Sequence, residues 1–212
     1  MPGVPHHATQ RGVRRMATFR GEEEYAEYVR LLAESCERFG LGVWAWCLMP
    51  NHIHMMAVPR TEDALARAIG EAHRRYSRMV NSREGWWGHL FQDRFCSFPM
   101  DEPNTYHAGR YIEMNPVRAK LAKLPQDWKW SSARAHVKGK DDRLVKAKPL
   151  VEMVDGWDAY LHESDETWDL IRRHERTGRP LGSPEFVAGL EKITGRELAK
   201  RPPGPKARRS RR

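Results

Sequence analysis

Leu41-Gly42-Val43-Trp44-Ala45-Trp46-Cys47-Leu48 runs into Met49-Pro50-Asn51 and continues as His52-Ile53-His54-Met55-Met56-Ala57-Val58. The first run is apolar and follows a glycine, so it reads as a buried strand, and the second reads as another strand entered through a proline–asparagine turn. Alternate side chains of a strand share a face, so His52 and His54 project together while Ile53 faces the core.

The flanking sequence extends this unit on both sides. Upstream, a short strand is predicted over Pro5 to Gln10, followed by the basic turn Arg11-Gly12-Val13-Arg14-Arg15. Glu22, Glu23 and Glu24 open a helix, where negative charge suits the amide end of the dipole. Tyr25, Val29, Leu32 and Cys36 then recur at helical spacing, and Gly40 stops it.

Downstream, a second helix from about Glu62 to Val80 places Leu65, Ile69, Tyr76 and Val80 on one face. Gly85-Trp86-Trp87-Gly88 reads as a loop and His89 to Phe98 as a fourth strand. A third helix is predicted from Asp101 to Asn115, with Pro103 in its first turn and Pro116 ending it. The order βαββαβα predicts an α+β, ferredoxin-like βαββαβ sandwich with an added helix.

That added helix carries Tyr111 and Asn115, four residues apart and therefore on one face. Two imidazoles, a phenol and a carboxamide are the groups needed to hold a divalent cation against a phosphodiester and attack it. Each pair is weak alone; with ten histidines in the chain, His-x-His arises readily by chance. Glu113 and Met114 lie between the phenol and the carboxamide and receive no role. No sequence spacing assigns a role to His6, His7, His73, His89 or His107.

The 212 residues suffice for one domain with extensions. Forty per cent are apolar and 31% charged, with mean hydropathy −0.77, net charge +9 and pI near 9.7. Such a charge favours a polyanionic partner. Six of the cations lie in the acid-free tail from Arg201 onward, which leaves only +3 for the rest. Three cysteines without paired spacing predict reduced thiols in a cytoplasmic protein, and no apolar run reaches the roughly 18 residues of a membrane span. Lys138 to Asp142 reads as a linker or exposed loop. Helical candidates follow at Pro149 to Leu161, Asp165 to Arg176 and Pro184 to Ile193. The predicted division is a catalytic domain over 1–135, a small helical C-terminal extension over 136–200 and a basic disordered tail over 201–212.

Several stretches carry a family resemblance. They are His6-His7-Ala8-Thr9-Gln10-Arg11-Gly12, Trp46 to His54, Gly88-His89-Leu90-Phe91-Gln92-Asp93-Arg94-Phe95, Tyr111 to Ala119 and Trp128-Lys129-Trp130-Ser131-Ser132-Ala133. In wording, order and spacing they resemble the IS200-type single-tyrosine transposases of the HUH endonuclease superfamily, most closely the REP-associated tyrosine transposases. The resemblance implies that His52 and His54 bind the metal and that Tyr111 is the nucleophile. Asn115 falls where such proteins carry Gln or Asn as a third ligand. It also implies the same ferredoxin-like sheet, with the histidines on a central strand.

The function expected from this combination is a metal-dependent single-stranded DNA endonuclease and strand transferase that forms a 5′-phosphotyrosine intermediate, at hairpin-bearing repeats. The ligand set suits Mg²⁺ or Mn²⁺ and leaves Zn²⁺ open. Protonation of His52 or His54 below about pH 6 is expected to expel the ion. Arg11, Arg14 and Arg15 are candidates for gripping hairpin phosphates. Gln92 and Arg94, on one face of the predicted fourth strand, are candidates for lining the DNA path. Trp86 and Trp87 offer stacking surfaces, but beside glycine they read first as caps on a core. The partner is single-stranded or hairpin DNA, with no membrane, and the chain acts as monomer or homodimer. The alternative is a catalytically silent regulator that binds hairpin DNA, for which the four groups would have no use.

Overall fold

The computed structural model describes residues 1–163 and 167–199. The predicted basic tail lies outside the described residues. Four strands form one antiparallel sheet: β1 (His6–Arg11), β2 (Leu41–Met49), β3 (His52–Pro59) and β4 (Cys96–Pro99), in the order β2-β3-β1-β4. Helices α1 (Glu22–Phe39) and α2 (Ala64–Glu84) complete the βαββαβ unit, and α3 (Glu102–Glu113) follows β4. This is the ferredoxin-like sandwich with its added helix.

Helix α1 opens with three glutamates in its first turn and ends where Gly40 turns left-handed at φ 68°; α2 ends the same way at Gly85, φ 65°. Glycine reaches that conformation without the steric cost a Cβ imposes. Between β2 and β3 only Pro50 and Asn51 remain unpaired, with Met49 opposite His52.

Strand alternation divides the sheet into two faces. Ala8, Val43, Trp46, Leu48, Ile53, Met55 and Ala57 pack against α1 and α2, against Tyr25, Leu32, Ile69 and Tyr76 among others. Ala45, Cys47, Met49, Met56, Phe98 and Met100 face the other way. A bulge between Val43 and Ala45 changes the parity of β2 there.

That second face is covered by α3 and by residues beyond 135. Ala108, Tyr111 and Ile112 share its core with Leu150, Trp157, Tyr160, Leu161, Ile171 and Leu181. The short helices α4 (Asn115–Arg118) and α5 (Ala133–Val137) precede these last six in the chain. Leu150 lies on α6 (Lys148–Val151), Trp157, Tyr160 and Leu161 on α7 (Trp157–Leu161), Ile171 on α8 (Trp168–Thr177) and Leu181 just before α9 (Pro184–Thr194). The stretch read as a linker is tied down. Asp142 accepts hydrogen bonds from Trp46 Nε1 at 3.0 Å and from the amides of Leu144 and Val145, both at 2.6 Å.

Two predicted boundaries are corrected. The fourth strand spans only Cys96–Pro99; Asp93 sits in the left-handed region at φ 48°, which breaks extended pairing. Gln92 and Arg94 therefore precede the strand rather than sharing one of its faces. Helix α3 ends at Glu113, and Asn115 opens the separate turn α4, with Pro116 in its first turn. Proline has no amide to lose there, so it begins a helical turn instead of stopping one.

Candidate active site

Both histidines of the His-x-His segment sit on β3, the strand flanked by β2 and β1, with His52 opposite Arg11 and His54 opposite Thr9. Their rings lie 5.0 Å apart at 79°. His52 Nδ1 is 2.7 Å from Asn51 Oδ1, while Asn51 Nδ2 donates to Arg15 O at 3.2 Å. An oxygen acceptor at Nδ1 favours the tautomer whose lone pair is on Nε2, the arrangement that suits a metal ligand. Asn51 thus ties the hairpin turn, the basic turn and the first imidazole together. The basic turn can approach so closely because of Gly12, whose added Cβ would lie 2.5 Å from Met16 O.

Tyr111 is delivered by α3, which is fixed at three points. Asp101 caps its start, accepting from Asn104 N at 3.2 Å and from Ser183 N at 2.8 Å. Midway, Gly109 allows contact with Leu150 and Trp157 that a Cβ would obstruct at 2.6 and 3.1 Å. At its end the fully buried Glu113 accepts from Ser132 Oγ at 2.5 Å and Trp157 Nε1 at 2.9 Å, with His136 Nδ1 2.5 Å away. Glu113, left without a role above, is therefore the anchor of the tyrosine helix. Asn115 Nδ2 donates to the carbonyls of Tyr111 and Ile112 at 3.0 and 3.2 Å, so its oxygen is the atom left for a ligand.

The Tyr111 ring stands 5.7 Å from that of His54 and 5.9 Å from that of His7. Its hydroxyl donates to Glu175 Oε2 at 3.4 Å, and the guanidinium of Arg118 lies 4.3 Å above its ring. Around it opens a cleft of about 1050 Å³, lined by His52, His54, Tyr111 and Asn115 and walled by Arg11, Arg15, Arg118, Arg172, Arg173 and Arg176. An adjoining cleft of about 500 Å³ is lined by Arg11, Gln92 and Arg94. Arg14, in a left-handed turn at φ 52°, lines neither cleft.

Burial governs the protonation of this site. It drives His7, His52 and His54 down to about 3, so all three imidazoles are neutral and have a lone pair to give. Burial also raises the Tyr111 phenol; Glu175 adds to that rise, and Arg118 and Arg172 oppose it. The phenol is therefore protonated at neutral pH, and the nearby guanidiniums are what favours its ionised form.

A phenol converging on a His-x-His strand is matched at the level of sequence. Residues 4–115 fit the family described as transposase IS200 like. The chain belongs to that family. A Haemophilus influenzae protein assigned by name as a REP-associated tyrosine transposase is 26% identical over 123 residues, covering 53% of this chain and 70% of that relative. A solved structure of a REP-associated tyrosine transposase bound to a REP hairpin superposes with a TM-score of 0.57 at 18% identity, over 73% of this chain and 90% of that one. At that identity the superposition establishes a shared fold.

Within this IS200-like transposase the structure brings Tyr111, His52, His54 and Asn115 to one cleft, with Arg11 and Arg15 on its wall. It also adds groups that sequence reasoning passed over: Asn51, His7, Glu175 and the arginines of α8. The Asn51–Arg15, His7–His54 and Tyr111–Glu175 contacts join residues 36, 47 and 64 apart, beyond the reach of local spacing. Trp87 is 97% exposed and caps no core, and Trp86 lies under Arg20 at 5.1 Å. Among the described residues, no helix is long and apolar enough to cross a membrane.

Proposed function

We propose that the chain cleaves and rejoins single-stranded DNA beside a hairpin, through a 5′-phosphotyrosine intermediate on Tyr111 and with a divalent ion, Mg²⁺ or Mn²⁺, held by His52, His54 and Asn115. The observation that carries this reading is the meeting of Tyr111 with the His-x-His face inside an arginine-walled cleft. The donor set fits such an ion: the imidazoles are neutral, Asn51 orients His52, and the carboxamide of Asn115 has only its oxygen to offer. When bound, the ion supplies Lewis-acid neutralisation of the non-bridging phosphate oxygens.

The chain's own residues do the rest. Arg11, Arg15, Arg118, Arg172 and Arg173 draw the strand into the cleft and hold its phosphates by charge-assisted hydrogen bonds. Tyr111 is kept from drifting by the anchor at Glu113, which preserves the aim of the phenol. Its oxygen forms a bond to phosphorus as the bond to the 3′ oxygen breaks. The phenol's proton passes to Glu175 Oε2, and the departing 3′ oxygen takes its proton from solvent water in the open cleft, the charge being restored when Glu175 releases its own to solvent. The free 3′-hydroxyl of another strand reverses the step without a nucleotide cofactor. Hairpin DNA as the partner is favoured by family membership and by the basic turn at Arg11, Arg14 and Arg15. The predicted extents 1–135 and 136–200 then describe a catalytic unit and an extension whose α8 helps build the cleft.

The test incubates the full chain with hairpin-bearing single-stranded oligonucleotides and Mn²⁺ or Mg²⁺, and resolves the products on denaturing gels. A covalent protein–DNA band lost on chelation and in His52→Ala is the expected result. Tight hairpin binding with no cleavage under any ion would leave a binding protein and overturn the reading.

A further inference from the structure

Three atoms from distant parts of the chain meet at the base of the cleft. His7 Nε2 of β1 lies 3.2 Å from His54 Nδ1 of β3. Glu175 Oε1 of α8 lies 3.3 Å from His54 Nδ1 and 3.7 Å from His7 Nε2. Ligands about 2.1 Å from one ion stand about 3.0 Å apart at an octahedral angle and about 3.4 Å apart at a tetrahedral one. This triangle therefore has the size of one face of a coordination shell.

Proton accounting points the same way. One proton shared between two neutral imidazoles satisfies their mutual contact and provides nothing for a third acceptor. Glu175 Oε1 is that third acceptor, buried and without a hydrogen-bond donor. A buried carboxylate oxygen left so is costly, and a cation at the common point would satisfy all three atoms together.

We infer that His7, His54 and Glu175 form a divalent-cation site at the floor of the cleft, closed by helix α8 of the extension. The set differs from the His52, His54 and Asn115 ligands proposed for cleavage and shares with them only His54, whose single lone pair serves one ion at a time. It deepens that reading, because the same carboxylate accepts the Tyr111 hydroxyl through its other oxygen. Two imidazoles and one carboxylate suit a first-row transition ion better than Mg²⁺, which prefers oxygen and keeps its waters. Because Glu175 arrives 121 residues after His54, binding the ion at this site also docks α8 onto the sheet.

Mn²⁺ is the probe, titrated into the full, DNA-free chain and followed by electron paramagnetic resonance of the free ion. Thermal unfolding and hydrogen exchange over α8 are measured alongside. Glu175→Gln and His7→Gln should each weaken binding by about tenfold or more. Mn²⁺ should raise the unfolding temperature less in Glu175→Gln than in the wild type, and should protect α8 only in the wild type. Glu175 is partly exposed, so that variant should fold even if His7→Gln does not. Wild-type Mn²⁺ affinity and wild-type protection of α8 in Glu175→Gln would overturn the inference and leave the proposed cleavage ion at His52, His54 and Asn115 standing. An absence of covalent adduct would remove the cleavage reading and leave this binding measurement unaffected.

Discussion

One face of the sheet presents Ala8, Trp46, Leu48, Ile53 and Met55 to α1 and α2, and closes over them with Tyr25, Leu32, Ile69 and Tyr76. The same strands turn His7, His52 and His54 to the opposite face, where they meet Tyr111, Glu175 and a ring of arginines. A period of two lets one strand serve both purposes without compromise. The apolar face holds the fold through area removed from water. The other face tolerates buried polar groups because the first supplies that stability, and because neutral imidazoles cost far less to bury than charges.

If this division is real, substitutions on the two faces should fail in different ways. The largest effect belongs to Tyr111→Phe, which should bring adduct formation below about one-thousandth of wild type while shifting stability by less than about 1 kcal/mol. Quantified gels and urea unfolding on the same preparation check both halves. Leu32→Ala on the apolar face should do the reverse, costing about 2–5 kcal/mol while leaving the cleavage rate per folded molecule unchanged.

Acid should act through the imidazoles. His7, His52 and His54 titrate at about 3 in the fold and near 6.5 when unfolded, so the unfolded chain binds more protons between those values. Their neutral burial is thus tolerated fully above pH 6.5, and stability declines as pH falls toward 3, by up to about 1.4 kcal/mol per pH unit for each. Urea unfolding at pH 7 and 4.5 should show the loss, and His52→Gln should reduce its slope. For the same reason, loss of the ion by protonation, expected from sequence near pH 6, moves to lower pH.

The anchor is testable next. Glu113→Gln introduces an N–H among Ser132, His136 and Trp157 and should cost about 1–3 kcal/mol. Cleavage should slow as well, since Tyr111 is aimed by the same helix end. The smallest effect is assigned to Arg173→Ala, which should weaken DNA binding a few-fold and lower the salt slope by about one, with stability unchanged.

Local sequence carried the framework well. Pro50-Asn51 marked the hairpin, the apolar spacing of Tyr25, Val29, Leu32 and Cys36 marked α1, and strand parity put His52 beside His54. It failed where conformation or contact depends on distant partners. Asp93 breaks the predicted fourth strand by adopting a left-handed turn, although Phe91 and Phe95 stand two residues to either side. Glu113 looks like a surface residue of α3 until Ser132, His136 and Trp157 close over it. Glu175 sits in a basic, solvent-like stretch, and only the path of the extension places it against Tyr111 and His54.

The central claim is that Tyr111 makes the bond to DNA. It is tested most directly by trapping the adduct with a hairpin oligonucleotide, digesting the protein and locating the attached nucleotide by mass spectrometry. The account predicts a 5′-phosphate on Tyr111 and a free 3′-hydroxyl on the released fragment. An adduct on any other residue, or one that persists in Tyr111→Phe, would contradict it.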